Sequence, residues 1–265
     1  MKKYLVIGNP IEHSLSPKLH NYWFKKCKIE AVYEKKLLLE KDLKNIIGKV
    51  RNDEISGINI TVPFKKSIIP FLDKLSIDAL RTQSVNTVSK VNNEILGYNT
   101  DVKGFDYSIK QLNFKIKEKK AFVIGAGGVT ASIVWALENL GILKIFVSNR
   151  TKKKAEELKK LFPKIEILDW GKKPPEFDIV INTTSVGLKY NEKIELDFND
   201  CKDKLFYDVI YNPFQTNFLL EAGKNSKNIT KNGLGMFIYQ AQESFKIWNG
   251  FAPEVDEKIY TMLHV

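Results

Sequence analysis

Residues 121–141 constrain the fold more than any other stretch of the chain. Four apolar residues, Ala121-Phe122-Val123-Ile124, run into Gly125-Ala126-Gly127-Gly128. Residues 129–140 then carry the apolar spacing of a helix, with Gly141 placed as its C-cap. A buried strand that turns through glycines into a helix is the opening of a βαβ unit. Glycine there permits a tight turn and lets backbone approach a pyrophosphate, which the partly positive helix start attracts. The spacing departs from the strict three-glycine form, because Thr130, or Ala131 one residue on, stands at the third position.

The following strand, 144–148, ends in Asn149-Arg150-Thr151. A protein selecting NAD places a carboxylate there for the ribose 2′-hydroxyl. Arg150 instead offers a planar fork of donors that suits a 2′-phosphate, and Thr151 and Lys152, Lys153 and Lys154 add a hydroxyl and charge. This favours NADP.

The same alternation of strands and helices runs through the chain. Strands are expected at 4–8, 31–37, 55–62, 85–91, 94–98, 165–168, 179–182 and 205–208. Helices are expected at 16–26, 40–50, 65–74, 76–81, 106–113, 152–161, around 219–222, at 240–248 and at 254–265. The dipeptide Asn92-Asn93 reads as a hairpin turn. The pattern restarts near 101–103, so two α/β units in tandem are expected.

Hydrophobic residues make up 43% of the 265-residue chain and charged residues 28%, a globular balance, and no apolar run reaches the ~18 residues of a membrane span. Cys27 and Cys201 have no CxxC or metal spacing, and His13, His20 and His264 form no zinc pattern, so no metal is expected. The net charge of +11 is spread along the chain without an aromatic-interleaved basic repeat. Steering of a phosphate-rich cofactor and an acidic substrate accounts for it, and no nucleic-acid or membrane partner is expected.

Four short polar signatures stand in the first unit: Gly8-Asn9-Pro10 through Ser14, Ser16, Pro17 and His20-Asn21; Gly57-Ile58-Asn59-Ile60-Thr61-Val62-Pro63-Phe64-Lys65; Ser84-Val85-Asn86-Thr87; and Gly97-Tyr98-Asn99-Thr100-Asp101. In the second unit come Asn182-Thr183-Thr184-Ser185-Val186-Gly187, Asp208-Val209-Ile210-Tyr211-Asn212-Pro213, and Gly233-Leu234-Gly235-Met236 leading to Gln240. In this order, over nearly the whole chain, the motifs resemble the NADP-dependent shikimate dehydrogenase family.

The resemblance implies an α/β fold of two lobes with a cleft between them. Residues 1–102 would bind substrate, helices 237–265 would pack back on them, and residues 103–236 would form a Rossmann-like NADP domain. It implies reversible NADPH-dependent reduction of 3-dehydroshikimate to shikimate in aromatic amino-acid biosynthesis, by a cytoplasmic monomer or homodimer. Lys65 and Asp101 would be the catalytic pair. Ser14 and Ser16 would grip the substrate carboxylate with Tyr211 nearby, and Asn59, Thr61, Asn86 and Gln240 would surround the ring hydroxyls; His13 and His20 are read as structural. The cofactor would meet Gly125, Ala126, Gly127, Gly128, Val129, Asn149, Arg150, Thr151, Lys154, Thr183, Ser185, Val209, Gly233 and Met236. Gln83-Ser84, Ile77 and Val102 depart from the family's usual residues, and loop geometry is expected to differ there. The alternatives are a quinate/shikimate dehydrogenase with broader substrate or NAD use, and a non-catalytic nucleotide-sensing protein on the same fold.

Overall fold

The computed structural model describes residues 1–189 and 192–264. Packing divides them into two compact units, Met1–Gly104 with Ile238–His264, and Phe105–Phe237.

The first unit runs β1 (Lys2–Gly8), α1 (Ser16–Lys26), β2 (Ala31–Leu37), α2 (Leu43–Arg51), β3 (Gly57–Ile60), β4 (Lys74–Leu75), α3 (Ile77–Thr82), β5 (Thr87–Val91), β6 (Glu94–Tyr98) and the start of α4 (Asp101–Lys110). Its sheet has the order β2-β1-β3-β5-β6-β4, and β5 alone runs against its neighbours. Side chains alternate across β1. Leu5 and Ile7 join Ile46, Ile47, Val50, Ile58 and Val88 on one face. Tyr4 packs on the other face against Phe24 and Trp248. The β5–β6 hairpin turns through Asn92 and Asn93, both at positive φ (51° and 64°), as an Asn-rich two-residue turn requires.

The second unit holds β7 (Lys120–Ile124), α5 (Thr130–Asn139), β8 (Lys144–Ser148), α6 (Lys152–Leu161), β9 (Glu166–Leu168), β10 (Ile179–Asn182), β11 (Leu205–Asp208), α7 (Asn217–Gly223) and β12 (Ile229–Lys231). The sheet is wholly parallel, in the order β12-β11-β10-β7-β8-β9. Its central strands are buried on both faces, with Phe122, Ile124, Phe146, Val180 and Phe206 in one cluster. Helices α8 (Leu234–Asn249) and α9 (Glu257–Leu263) complete the chain; Val265, assigned to the last helix from sequence, lies outside the described residues.

Several expected helices differ from what forms; the one expected at 240–248 begins at Leu234, and the one expected from 254 begins at Glu257. Residues 65–74 are not a helix but a run of turns, a 3-10 turn at Ile69–Phe71 and then β4. Pro70 has no N–H to donate, and a proline disfavours α geometry in the residue before it. The helix expected from 106 begins at Asp101, because the Asn99 side-chain oxygen accepts the Asp101 N–H and caps the turn. The short strands β4 and β12 have too few residues to show a period in sequence.

Candidate active site

Each unit has one point where its strand order reverses, which in open α/β sheets is where ligands meet the carboxyl ends of strands. In the first unit this is between β1 and β3. The chain leaves β1 for β2 on one side and returns to β3 on the other. Ser14 and Ser16 follow β1, and Thr61 and Lys65 follow β3. Because β5 is antiparallel, its leading residue Asn86 reaches the same edge, as does Asp101 after β6. Topology thus gathers residues from four segments of sequence at one edge.

The centre of this edge is an ion pair. Lys65 Nζ lies 2.6 Å from Asp101 Oδ2, with the two side chains 16% and 9% exposed. Such a pair is withdrawn from bulk water, yet Lys65 still reaches the surface of the site. Asn86 Nδ2 donates to the other carboxylate oxygen, Asp101 Oδ1, at 3.0 Å. The Asn86 amide orientation follows from its far end, where Oδ1 accepts the Thr100 backbone N–H at 2.8 Å. Gln240 of α8 lies beside it, 3.5 Å from Asn86 Nδ2. Asn59 is buried; its Oδ1 accepts the Tyr33 hydroxyl at 2.6 Å, and its Nδ2 faces the Asn86 carbonyl, Thr87 Oγ1 and Ser244 Oγ within 3.0 Å. Ser14 Oγ accepts the Ser16 N–H at 3.3 Å, and Ser14 and Thr61 are half-buried while Ser16 is buried.

The two motif histidines separate. His13 is exposed, whereas His20 is fully buried among rings. It stacks on Tyr33 at 4.3 Å and 3°, and burial drives its pKa down to about 3. Neither ring nitrogen has a hydrogen-bond partner among the described residues.

In the second unit the reversal falls between β7 and β10. The glycine loop leaves β7 there, with Gly125 at φ +112°, where a Cβ would strike the Thr183 side chain at 2.6 Å. Gly127 and Gly128 differ: a Cβ on Gly128 would meet nothing within 4 Å, and one on Gly127 only the Thr183 carbonyl at 3.8 Å. The protein's own packing leaves these two positions room for a side chain. A bare backbone there keeps an open cradle that suits a pyrophosphate.

Thr130, which breaks the three-glycine spacing, ties the loop together. Its hydroxyl accepts the Gly127 N–H at 2.9 Å and meets the Thr183 hydroxyl at 2.9 Å, and Thr183 in turn donates to the Ile124 carbonyl. Asn149 accepts the Ala126 N–H and donates to the Thr151 carbonyl, which fixes the loop to the end of β8. Arg150, Thr151 and Lys154 are exposed, and Arg150 has no ion pair among the described residues. The donor set and the open loop fit a dinucleotide carrying a 2′-phosphate.

Asp208 closes β11. It accepts from Asn182 Nδ2, the Ile210 N–H and the Thr216 hydroxyl, and burial raises its pKa to about 6. The motif containing it was legible, but its buried role was not. Val209 follows it, and Gly233 packs so closely on the Val209 carbonyl that any Cβ would overlap it. Ser185 is exposed, Met236 is buried, and Tyr211 stacks on Phe237 at 4.6 Å.

Sequence reasoning missed the groups beneath the Lys65–Asp101 pair. Thr87, Thr100, Ser244 and Tyr33 were unassigned, although Thr87 and Thr100 stand inside the quoted motifs. Ser244 left one signal, a small polar residue one helical turn after Gln240.

A dinucleotide cradle at the switch point of a parallel sheet, and a lysine–carboxylate pair in a polar surround, define an NADP-dependent α/β oxidoreductase that acts on a CH–OH group. Comparison with known proteins names the family. Residues 6–88 match the shikimate dehydrogenase substrate-binding domain, 108–208 the shikimate/quinate 5-dehydrogenase domain and 233–257 the shikimate 5′-dehydrogenase C-terminal domain. The chain is 55% identical over 265 residues to shikimate dehydrogenase (NADP(+)) of Pelagibacter ubique, covering 100% of this chain and 99% of that protein. Among solved structures, shikimate 5-dehydrogenase of Listeria monocytogenes in complex with shikimate and NAD superposes with TM-score 0.92 at 30% identity, over 99% of this chain and 96% of that one. A shikimate dehydrogenase in complex with NADP+ superposes with TM-score 0.91 at 32% identity, over 99% and 93%. The chain belongs to the shikimate dehydrogenase family.

Proposed function

We propose that this chain catalyses the reversible NADPH-dependent reduction of 3-dehydroshikimate to shikimate. The observation that carries the reading is the Lys65–Asp101 pair, 2.6 Å apart and largely withdrawn from solvent, with Asn86 fixed on the second carboxylate oxygen. NADPH, when bound, supplies the hydride. As the substrate carbonyl is reduced, its oxygen gains negative charge. The Lys65 ammonium stabilises that charge and is placed to give up a proton. Asp101 holds Lys65 and accepts from a substrate hydroxyl. Ser14 and Ser16 take the carboxylate, with Tyr211 supporting them. Thr61, Asn59, Asn86 and Gln240 line the ring hydroxyls, each of which is costly to desolvate unpaired.

In this reading the unit Met1–Gly104 with Ile238–His264 is the substrate domain and Phe105–Phe237 the NADP domain. Gly125 through Val129 receive the pyrophosphate, and Asn149, Arg150, Thr151 and Lys154 surround the 2′-phosphate. Thr183, Ser185, Val209, Gly233 and Met236 line the remainder of the cofactor site. The enzyme works in the cytoplasm, which suits two free cysteines.

The test is turnover of shikimate, followed by the near-ultraviolet absorbance of reduced nicotinamide, with NADP and with NAD, and of quinate in parallel. Reduction of NADP by shikimate is expected. No turnover with either cofactor would overturn the activity, and a preference for NAD would overturn the role given to Arg150.

A further inference from the structure

Below the Lys65–Asp101 pair lies a cluster of buried hydroxyls. Thr87, Thr100 and Ser244 are all buried. Their oxygens form a triangle: Thr87 to Ser244 at 2.8 Å, Ser244 to Thr100 at 3.2 Å and Thr87 to Thr100 at 3.3 Å. Thr87 is its hub. The same oxygen accepts from Asn59 Nδ2 at 2.9 Å and lies 3.1 Å from Asn86 Oδ1. Ser244 brings in α8, since its hydroxyl also reaches the Gln240 carbonyl at 3.0 Å. Thr100 faces both ends of the Asn86 amide, accepting from Nδ2 at 2.9 Å and lying 3.1 Å from Oδ1.

The consequence is directional. An asparagine amide has one acceptor end and one donor end. The Asn86 acceptor end is satisfied by the Thr100 N–H and by hydroxyls of the triangle, so its donor end must face Asp101 Oδ1. A rotated amide would set oxygen against carboxylate and Nδ2 against the buried Thr100 N–H, leaving that N–H unpaired. The Thr100 N–H therefore selects one amide orientation, the Thr87 and Thr100 hydroxyls buttress its acceptor end, and that orientation sets the rotation of the carboxylate on which Lys65 rests.

We propose that Thr87, with Ser244, is a positioning residue: the buried hydroxyl triangle holds the Asn86 amide, and through it Asp101 and Lys65, in the geometry the reaction needs. The proposal rests on the assignment of Lys65 and Asp101 as the reacting pair. It adds a role for two buried residues, and it makes α8 part of the site's scaffold through one hydroxyl.

The test compares Thr87→Val, which keeps the shape and removes the hydroxyl, with Thr87→Ser, which keeps the hydroxyl. Thr87→Val is expected to lower kcat about tenfold, with little change in KM for NADP, as a small misplacement of reacting groups does. Thr87→Ser should restore most of the rate. Ser244→Ala, which takes one corner of the triangle, should fall between them.

In an Asn86→Ala background, Thr87→Val should cost little more, because its effect passes through Asn86. Side-chain amide exchange of 15N-labelled Asn86 and Asn59, read by NMR, supplies a measurement independent of turnover. Protection should be retained in wild type and Thr87→Ser, and lost at Asn86 in Thr87→Val. If Thr87→Val keeps wild-type kcat and Asn86 protection, or costs as much in the Asn86→Ala background as alone, the proposal is overturned. Failure of wild type to oxidise shikimate would sink the functional reading instead, and the exchange measurement would still decide the role of Thr87. Should Thr87→Val not fold, Ser244→Ala carries the same comparison.

Discussion

His20 gives the fold a pH dependence whose size follows from its surroundings. The ring is fully buried among Trp23, Phe24, Tyr33, Phe245 and Trp248. Of these only Tyr33 ionises, and burial raises its pKa well above the ordinary value, so no charge faces the imidazole from its ring neighbours. Burial lowers the His20 pKa to about 3. In the unfolded chain the same ring takes up a proton near pH ~6.5. The folded pKa is depressed, so the stabilisation is fully present above ~6.5 and is lost as pH falls from there toward about 3, because the unfolded state alone gains the proton. Linkage gives a loss of about 2 kcal/mol between pH 7 and pH 5.

The perturbation is His20→Phe, which keeps a flat ring against Tyr33 and cannot titrate. Its constant packing cost cancels when two pH values are compared. Urea unfolding of both proteins at pH 7 and pH 5, followed by the fluorescence of neighbouring Trp23 and Trp248, should show wild type losing about 2 kcal/mol more than the variant. In a thermal scan that is a shift of ~4–8 °C. Equal losses in the two proteins, or an imidazole that titrates near its free value by NMR, would refute the reasoning.

Asp208 has the opposite sign. Its folded pKa is raised to about 6, so its contribution is fully present below ~3.9 and is lost as pH rises through 6. Asp208→Asn should therefore gain about 1 kcal/mol relative to wild type between pH 5 and pH 7 in the same unfolding assay. Lys65→Ala should lower kcat by roughly 10²–10⁴-fold while shikimate affinity changes little, and steady-state kinetics with a binding titration separate the two. Arg150→Ala should raise KM for NADP far more than KM for shikimate, and equal effects would remove the 2′-phosphate contact. Gln83 caps α3 in the left-handed region, φ 49° and ψ 42°, with its side chain on the Leu80 carbonyl. Gln83→Gly relieves that strain and should stabilise by about 0.5–1 kcal/mol net of the added unfolded-state entropy, read as a higher Tm.

Gln83 also shows what a departure from the family pattern does. The sequence placed a large residue where glycine is usual, and the backbone keeps the left-handed turn rather than yielding it. Ile77 stands 76% exposed at the start of α3, and Val102 is buried in α4 with Phe105 and Ile109. Thr130 resolves in the same way: what reads as a missing glycine is a hydroxyl that fastens the loop to Thr183.

Much of this protein was determined by local order in the chain. Strand-to-glycine-to-helix at 121–140, Arg150 after the next strand, and the spaced polar motifs each need only a few adjacent residues, because period, turn chemistry and charge are local properties. The ends of β2, β8, β10 and β11 were legible for that reason. Only the tertiary structure decided which distant segments share an edge. Asn86 reaches Lys65 because β5 runs antiparallel, and Ser244 reaches Thr87 because α8 returns to the first unit, 157 residues away in sequence. Hydrogen bonds between segments leave no period to read. The glycine loop that constrained the fold announced itself, whereas the hydroxyls that orient Asp101 became visible only once the chain had closed around them.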